Sequence, residues 1–174
     1  MVHLFFLIWS INHLNPGLVD DWQIHDGHAY AFIDQSMSWD DAADLCNSLK
    51  MDMATPTSMD EQLFLQEAVY NGDDGVGALN SWFWIGAYNE YVDSTVSAWD
   101  AARGYYWARW NWENGETWSF QDFDGEKVIG PWGYDNHGAA LMVTDYDTAS
   151  TTRWGATWRI APANNAYKVV CESR

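Results

Sequence analysis

The 174-residue sequence predicts an α+β domain, and three features carry that expectation. Two amphipathic helical patterns stand in the first half of the chain. A short aromatic strand, Ser81 to Ala87 (Ser-Trp-Phe-Trp-Ile-Gly-Ala), follows them. From residue 97 onward helical periodicity gives way to short strands and loops rich in Trp, Gly and Asp. With no internal repeat and no linker in view, a chain of this length reads as one domain able to bury its own core.

The elements follow in order. Leu4 to Trp9 (Leu-Phe-Phe-Leu-Ile-Trp) is apolar but too short to cross a bilayer as a helix. It lacks the basic flank and small-residue cleavage site of a secretion signal, so residues 1–23 read first as a packed edge strand or terminal arm, and second as an atypical signal-like segment. The alternation around Tyr30 and Phe32 predicts a strand over His28 to Ile33 with one buried face. Ser38 is a good N-cap, and Asp40 and Asp41 would face the positive end of the helix behind it. Trp39, Ala42, Ala43, Cys46 and Leu49 recur at helical spacing as one apolar stripe, with Asp40, Asp44, Asn47 and Lys50 on the opposite face.

After Pro56, Ser58 and Glu61 form a Ser-x-x-Glu capping box, and Leu65, Ala68 and Val69 continue that helix until Asn71-Gly72 stops it. Met53 and Ala54 are expected to fill the turn between the two helices. In the aromatic strand, large rings suit a pleated, buried surface, and Gly86 stands where a side chain would obstruct a close backbone approach. Tyr167 to Cys171 predicts the last strand.

Composition narrows the function. The net charge of −17, from 25 acidic and 8 basic residues with none basic before Lys50, repels polyanions and so argues against nucleic acid and anionic membranes as partners. The acidity fits solubility in a salty or secreted setting. Aromatics make up 17% of the chain, with 13 Trp, which exceeds what a core of this size needs; some rings should reach the surface as contact sites. Cys46 and Cys171 alone are explained equally by a disulfide or by two buried thiols. No N-glycosylation sequon is present.

The order of elements carries motifs that resemble a C-type lectin-like domain over residues 24–174. Trp39-x2-Ala42-x3-Cys46 is similar to that family's first helix, and Glu61 with Phe64-Leu65 to its second. Trp84-Ile85-Gly86 resembles the central strand motif. Asn111-Trp112-x2-Gly115-Glu116 resembles the start of the long ligand-binding loop, and Val170-Cys171-Glu172 the closing strand. The resemblance implies two helices packed on short antiparallel sheets, a long loop projecting from one face, and a Cys46–Cys171 disulfide joining first helix to last strand. It also implies a secreted protein or another oxidising compartment.

The departures bear on function. The family's second disulfide would fall near Ala139 and Ala163, both alanine. Its sugar-binding calcium triplet reads Glu116-Thr117-Trp118 here, and the later ligand pair reads Arg159-Ile160 after Trp158. Of those ligands only Glu116 survives, whereas calcium takes about 6–8 oxygens. Asp122, Asp124, Glu126 and Asp135 could, with Glu116, build a calcium site of another kind, but a solvated acidic loop is the preferred reading of them. No resident cofactor is therefore expected.

The remaining candidates are aromatic. Flat rings stack on sugar faces and anchor protein contacts, so Glu116, Trp118, Trp132, Tyr134, Asp135 and Asn136 are the expected ligand-binding residues. Trp112 and Trp158 are expected to be structural, with Trp118 and Trp132 more exposed. His25, His28 and His137 would suggest zinc only if they converged. No nucleophile elbow, zinc-helix motif or phosphate loop occurs, so an enzyme is not expected. The sequence thus reads as a non-catalytic module binding a glycan or protein through its long-loop face, without the usual calcium chemistry. The alternative is a structural subunit of a larger assembly, its aromatic surface buried against partner chains.

Overall fold

A computed structural model describes residues 2–70, 82–90, 109–120, 138–143 and 157–173. The chain starts with helix α1 (Val2–Leu14) and continues through strands β1 (Asp21–His25) and β2 (His28–Met37) to helix α2 (Trp39–Ser48). Strand β3 (Met51–Met53), helix α3 (Met59–Tyr70) and strand β4 (Trp82–Glu90) follow. Strands β5 (Arg109–Trp112), β6 (Gly138–Val143), β7 (Thr157–Pro162) and β8 (Tyr167–Ser173) complete the described residues.

These strands form one sheet in the order β1-β2-β8-β4-β6-β7, with β3 added to β8 and β5 to β4. Pairing is antiparallel except between β4 and β8, which run parallel through Phe83 opposite Lys168 and Trp84 opposite Val169. Thus β8, the last strand, lies in the middle of the sheet between β2 and β4. Its burial explains the apolar run Val169-Val170-Cys171.

Helix α2 forms as its sequence predicts. Ser38 accepts from the Asp41 N–H at 3.2 Å, and Trp39, Ala42, Ala43, Cys46 and Leu49 are all buried. The Trp39 indole N–H reaches across to the Ile85 carbonyl at 2.9 Å, pinning the helix to β4. Gly86 is needed for close approach: an added Cβ would lie 3.2 Å from Thr55 Oγ1 and 3.3 Å from the Met53 carbonyl, and the Gly86 N–H donates to Ala54 at 2.9 Å. Cys46 and Cys171 are disulfide-bonded, with Cα atoms 5.5 Å apart.

Two local expectations change, and one hairpin is added. Leu4 to Trp9 lies in helix α1, not in an edge strand, because Leu7 and Ile11 pack inward one turn apart, Ile11 fully buried. Met53 lies in a strand rather than a turn, since β3 pairs Met51, Asp52 and Met53 with Ser173, Glu172 and Cys171. Strand β1 pairs with β2 through a two-residue Asp26-Gly27 turn, with φ of 43° and 87° at the two positions. That positive-φ pair suits the right-handed twist of a hairpin.

The core divides into two clusters on either side of the sheet residues. The first holds α2, Ile11, Met51, Met53, Trp84 and the disulfide. The second gathers Tyr30, Phe32, Leu65, Phe83, Ile85, Trp110, Trp112 and Trp158, with Trp118 and Phe120 packed against it. Register places Ala139 opposite Ala161, two residues before Ala163, on the β6–β7 ladder.

Candidate functional site

The loop that follows β5 begins in a defined turn. Pairing of Ala87 with Trp112 and Asn89 with Trp110 holds β5 on β4, and the Glu113 N–H donates to the Gly86 carbonyl at 2.8 Å. Gly115, at φ 79°, takes the left-handed conformation that closes the turn, with its N–H donating to Trp112 at 3.0 Å. Asn114 Oδ1 accepts from the Glu116 N–H at 3.1 Å, and its amide lies 3.3 Å from Glu116 Oε1. This side-chain turn fixes Glu116 at the surface.

Behind Glu116 lies an aromatic shelf. Trp110 and Trp112, two positions apart on β5, share one face of the strand and are buried. Trp112 and Trp158 are each 1% exposed and meet edge to face at 5.6 Å. Trp118 is only half-buried: it stacks on Trp110 at 5.9 Å, tilts over Trp112 at 4.7 Å, and meets Trp158 at 6.0 Å. Phe120 meets Trp158 edge-on at 5.7 Å. Trp158 is anchored by its own N–H, which donates to Gln62 on α3 at 2.8 Å. The buried Trp112 N–H and Glu113 Oε2, by contrast, have no hydrogen-bond partner among the described residues.

An acidic group that sequence reading does not reveal sits beside the shelf. Ser58 Oγ accepts from the Glu61 N–H at 3.2 Å, as a capping box requires, but the Glu61 carboxylate reaches the Thr57 N–H at 2.9 Å, one residue earlier than Ser58. Its other oxygen accepts from the Tyr30 hydroxyl at 2.9 Å. Glu172 accepts from the Thr55 N–H at 3.1 Å, and its other oxygen lies 3.0 Å from His28 Nδ1. That nitrogen also lies 3.0 Å from the Ser173 carbonyl, which can only accept, so it carries a proton.

Burial, then the Glu61 charge, pushes the Glu172 carboxyl up to about 7; Glu116 adds to the rise, while the Thr55 N–H and His28 oppose it. Burial, followed by the charges of Glu172 and Glu61, raises the Tyr30 phenol well above its ordinary value. The group therefore clamps the N-terminus of α3 to the end of β8. No local pattern marks it, because its members meet across 31 to 145 positions of sequence.

Of the residues expected to bind ligand, the structure describes Glu116, exposed and held by Asn114, and Trp118, half-covered on the shelf. Trp132, Tyr134, Asp135 and Asn136 lie outside the described residues, as do Asp122, Asp124, Glu126 and His137. His25 and His28 face each other across the hairpin, yet each has its own partner: His25 stacks on Phe64 at 4.3 Å and pairs with Asp60 at 3.3 Å, and His28 pairs with Glu172. No group of three or more His, Cys, Asp or Glu side chains is placed to hold a metal among the described residues. The described part of the loop start does not fit calcium. Glu116 is its one exposed carboxylate and is held by Asn114, while Glu61 and Glu172 already accept protein hydrogen bonds.

The sequence matches no protein-family model and no curated protein. Solved structures do match. Human lithostathine is 17% identical, with a TM-score of 0.61 over 89% of this chain and 98% of its own. The C-type lectin CEL-I from Cucumaria echinata is 18% identical, with a TM-score of 0.60 over 88% and 94%. A calcium-independent type II antifreeze protein is 16% identical, with a TM-score of 0.58 over 88% and 92%. At these identities the likeness establishes shared architecture.

Proposed function

We propose that this chain, whose fold is C-type lectin-like, is a non-catalytic binding module that takes a carbohydrate or protein ligand through its long-loop face, without a calcium-dependent sugar site. The observation that carries this reading is the posture of Trp118. Its ring rests on a floor of Trp110, Trp112 and Trp158, and part of it stays open beside the exposed Glu116. A ring held in place before binding loses little conformational freedom when a sugar face or an apolar side chain covers it. Trp132 and Tyr134, further along the chain, would flank it, with Asp135 and Asn136 supplying polar contacts. The disulfide suits the secreted or otherwise oxidising setting in which such a module would work.

A glycan array probed with and without EDTA tests the reading. Binding is expected in both conditions, and the melting temperature is expected to be the same in both. A ligand bound only by the native state adds about 2.7 kcal/mol at a hundredfold excess over its dissociation constant, so a resident calcium would show as a rise of several degrees. Such a rise would overturn the calcium-independent reading and direct attention to Glu116, Asp122, Asp124, Glu126 and Asp135.

On any glycan that binds, Trp118→Leu is expected to weaken affinity at least about tenfold, because a central aromatic anchor commonly contributes 2 kcal/mol or more. Glu116→Gln is expected to change it by less than about threefold, as rim residues do. Trp118→Leu also removes ring packing, so its melting temperature is read alongside. The reverse ranking of the two variants would sink the aromatic-anchor reading.

A further inference from the structure

We propose that the outer face of α1 is a self-association surface, on which a second copy of this chain packs its own α1 about a two-fold axis. The helix is seated on the fold rather than trailing from it. Ile11 is buried in the cluster that holds Cys46 and Met53, Leu7 packs beside it, and Asn12 Oδ1 accepts from the Trp22 indole at 3.0 Å. With that stripe facing inward, Phe5, Phe6 and Trp9 point outward and are 62%, 64% and 63% exposed. Trp9 and His13, one turn apart, stack at 5.1 Å with their planes 5° from parallel, which extends the flat apolar face along the helix. Three large exposed aromatics this close together are unusual on a soluble surface and mark a contact site.

Charge selects the occupant. Residues 1–19 contain no Asp, Glu, Lys or Arg, whereas the whole net charge of −17 lies in the rest of the chain. A basic partner would find no carboxylate on this helix to pair with. Helices that lie on membranes usually carry Lys or Arg on their polar face, which this helix lacks. A second copy offers the same uncharged aromatic face, so the two can close without burying a charge. A two-fold contact of this kind is self-complementary by construction.

The three rings, at about 150–250 Å² each when whole, expose roughly 300–450 Å². That is about half the ~800 Å² per partner of a standard interface, so a weak, concentration-dependent dimer is expected. It should tighten with salt, because screening reduces the repulsion between two strongly negative bodies.

Sedimentation velocity on the full chain, from about 10 to 200 μM in low and in ~1 M salt, reads this directly. A monomer–dimer equilibrium that shifts towards dimer in high salt is expected. Trp9→Glu and the milder Phe6→Ser are each expected to raise the dissociation constant at least about thirtyfold, as loss of a central anchor does. Leu63→Glu, on the exposed face of α3, is expected to leave it unchanged. Melting temperatures show whether each variant is folded, and two variants guard against one that is not. A protein that stays monomeric at the highest concentration in both salts would overturn the proposal. So would a dimer indifferent to both α1 variants, or a monomer that instead floats with neutral phosphatidylcholine vesicles.

Discussion

Replacing Cys46 and Cys171 together by alanine is expected to lower stability by about 4–5 kcal/mol. The bond spans 125 positions, so in the unfolded chain it closes a loop that includes most of the molecule. Closing a loop of that length removes far more unfolded-state entropy than a short crosslink would, and the logarithmic dependence on length gives the quoted figure. Both sulfurs are also fully buried among Trp84, Met53 and Ala42, so the double variant leaves a small void as well. For a domain of this size the loss corresponds to a melting temperature lower by roughly 10–20 °C.

Guanidinium titration of wild type and double variant under non-reducing conditions measures the difference. A change below about 1 kcal/mol would mean that the unfolded chain is already compact enough to make the crosslink redundant. Alkylation of the unfolded wild type without reductant should add no label, and two labelled thiols would refute the bond itself.

Stability is expected to fall by roughly 2–3 kcal/mol between pH 4.5 and 7 on account of Glu172 alone. The sign follows from where the proton sits. The native carboxyl titrates at about 7 against an ordinary value of 4.5, so in that window the folded chain holds a proton that the unfolded chain has released. Unfolding then gives up a proton, and raising the pH favours it. Below 4.5 both states are protonated and above 7 both are ionised, so the contribution is flat on either side. The group is 13% exposed in its side chain, so solvent screening takes only a small part of the effect.

Glu172→Gln separates this residue from the other carboxylates. Its amide oxygen can still accept from the Thr55 N–H, while the charge facing Glu61 and Glu116 is gone. The variant is expected to match wild type near pH 4.5 and to exceed it by roughly 2 kcal/mol at pH 8. Equal pH profiles for the two proteins would mean that Glu172 titrates as an ordinary exposed acid.

Local patterning was enough to anticipate much of the scaffold. The stripe from Trp39 to Leu49 and the cap at Ser38 appear as expected, because a helix of that period and start has one stable way to face a core. Gly86 reads as a close approach and is one, against Thr55 and Met53. Asp26-Gly27 is a dipeptide that favours a two-residue hairpin turn, and the structure forms one there. Leu4 to Trp9 is ambiguous in principle, since a short apolar run suits a strand or a helix equally until something packs against it. Trp118 divides the two kinds of knowledge: composition says some tryptophans must be surface contacts, but not which one rests half-covered on three others.

The sequence by itself determined the secondary structure around α2 and α3, the strong acidity and the aromatic excess, because propensity, capping and charge act over a few neighbouring residues. Through its family resemblance it also pointed to the Cys46–Cys171 bond and the C-type lectin-like fold. Only the tertiary structure decided that β8 runs through the middle of the sheet, and that Glu172 consequently meets Glu61, Tyr30 and His28. It alone also turned Phe5, Phe6 and Trp9 outward. Those outcomes depend on which distant segments share a dielectric environment or compete for one buried face. Such contacts are set by the packing of the whole chain, and no local stretch of residues encodes them.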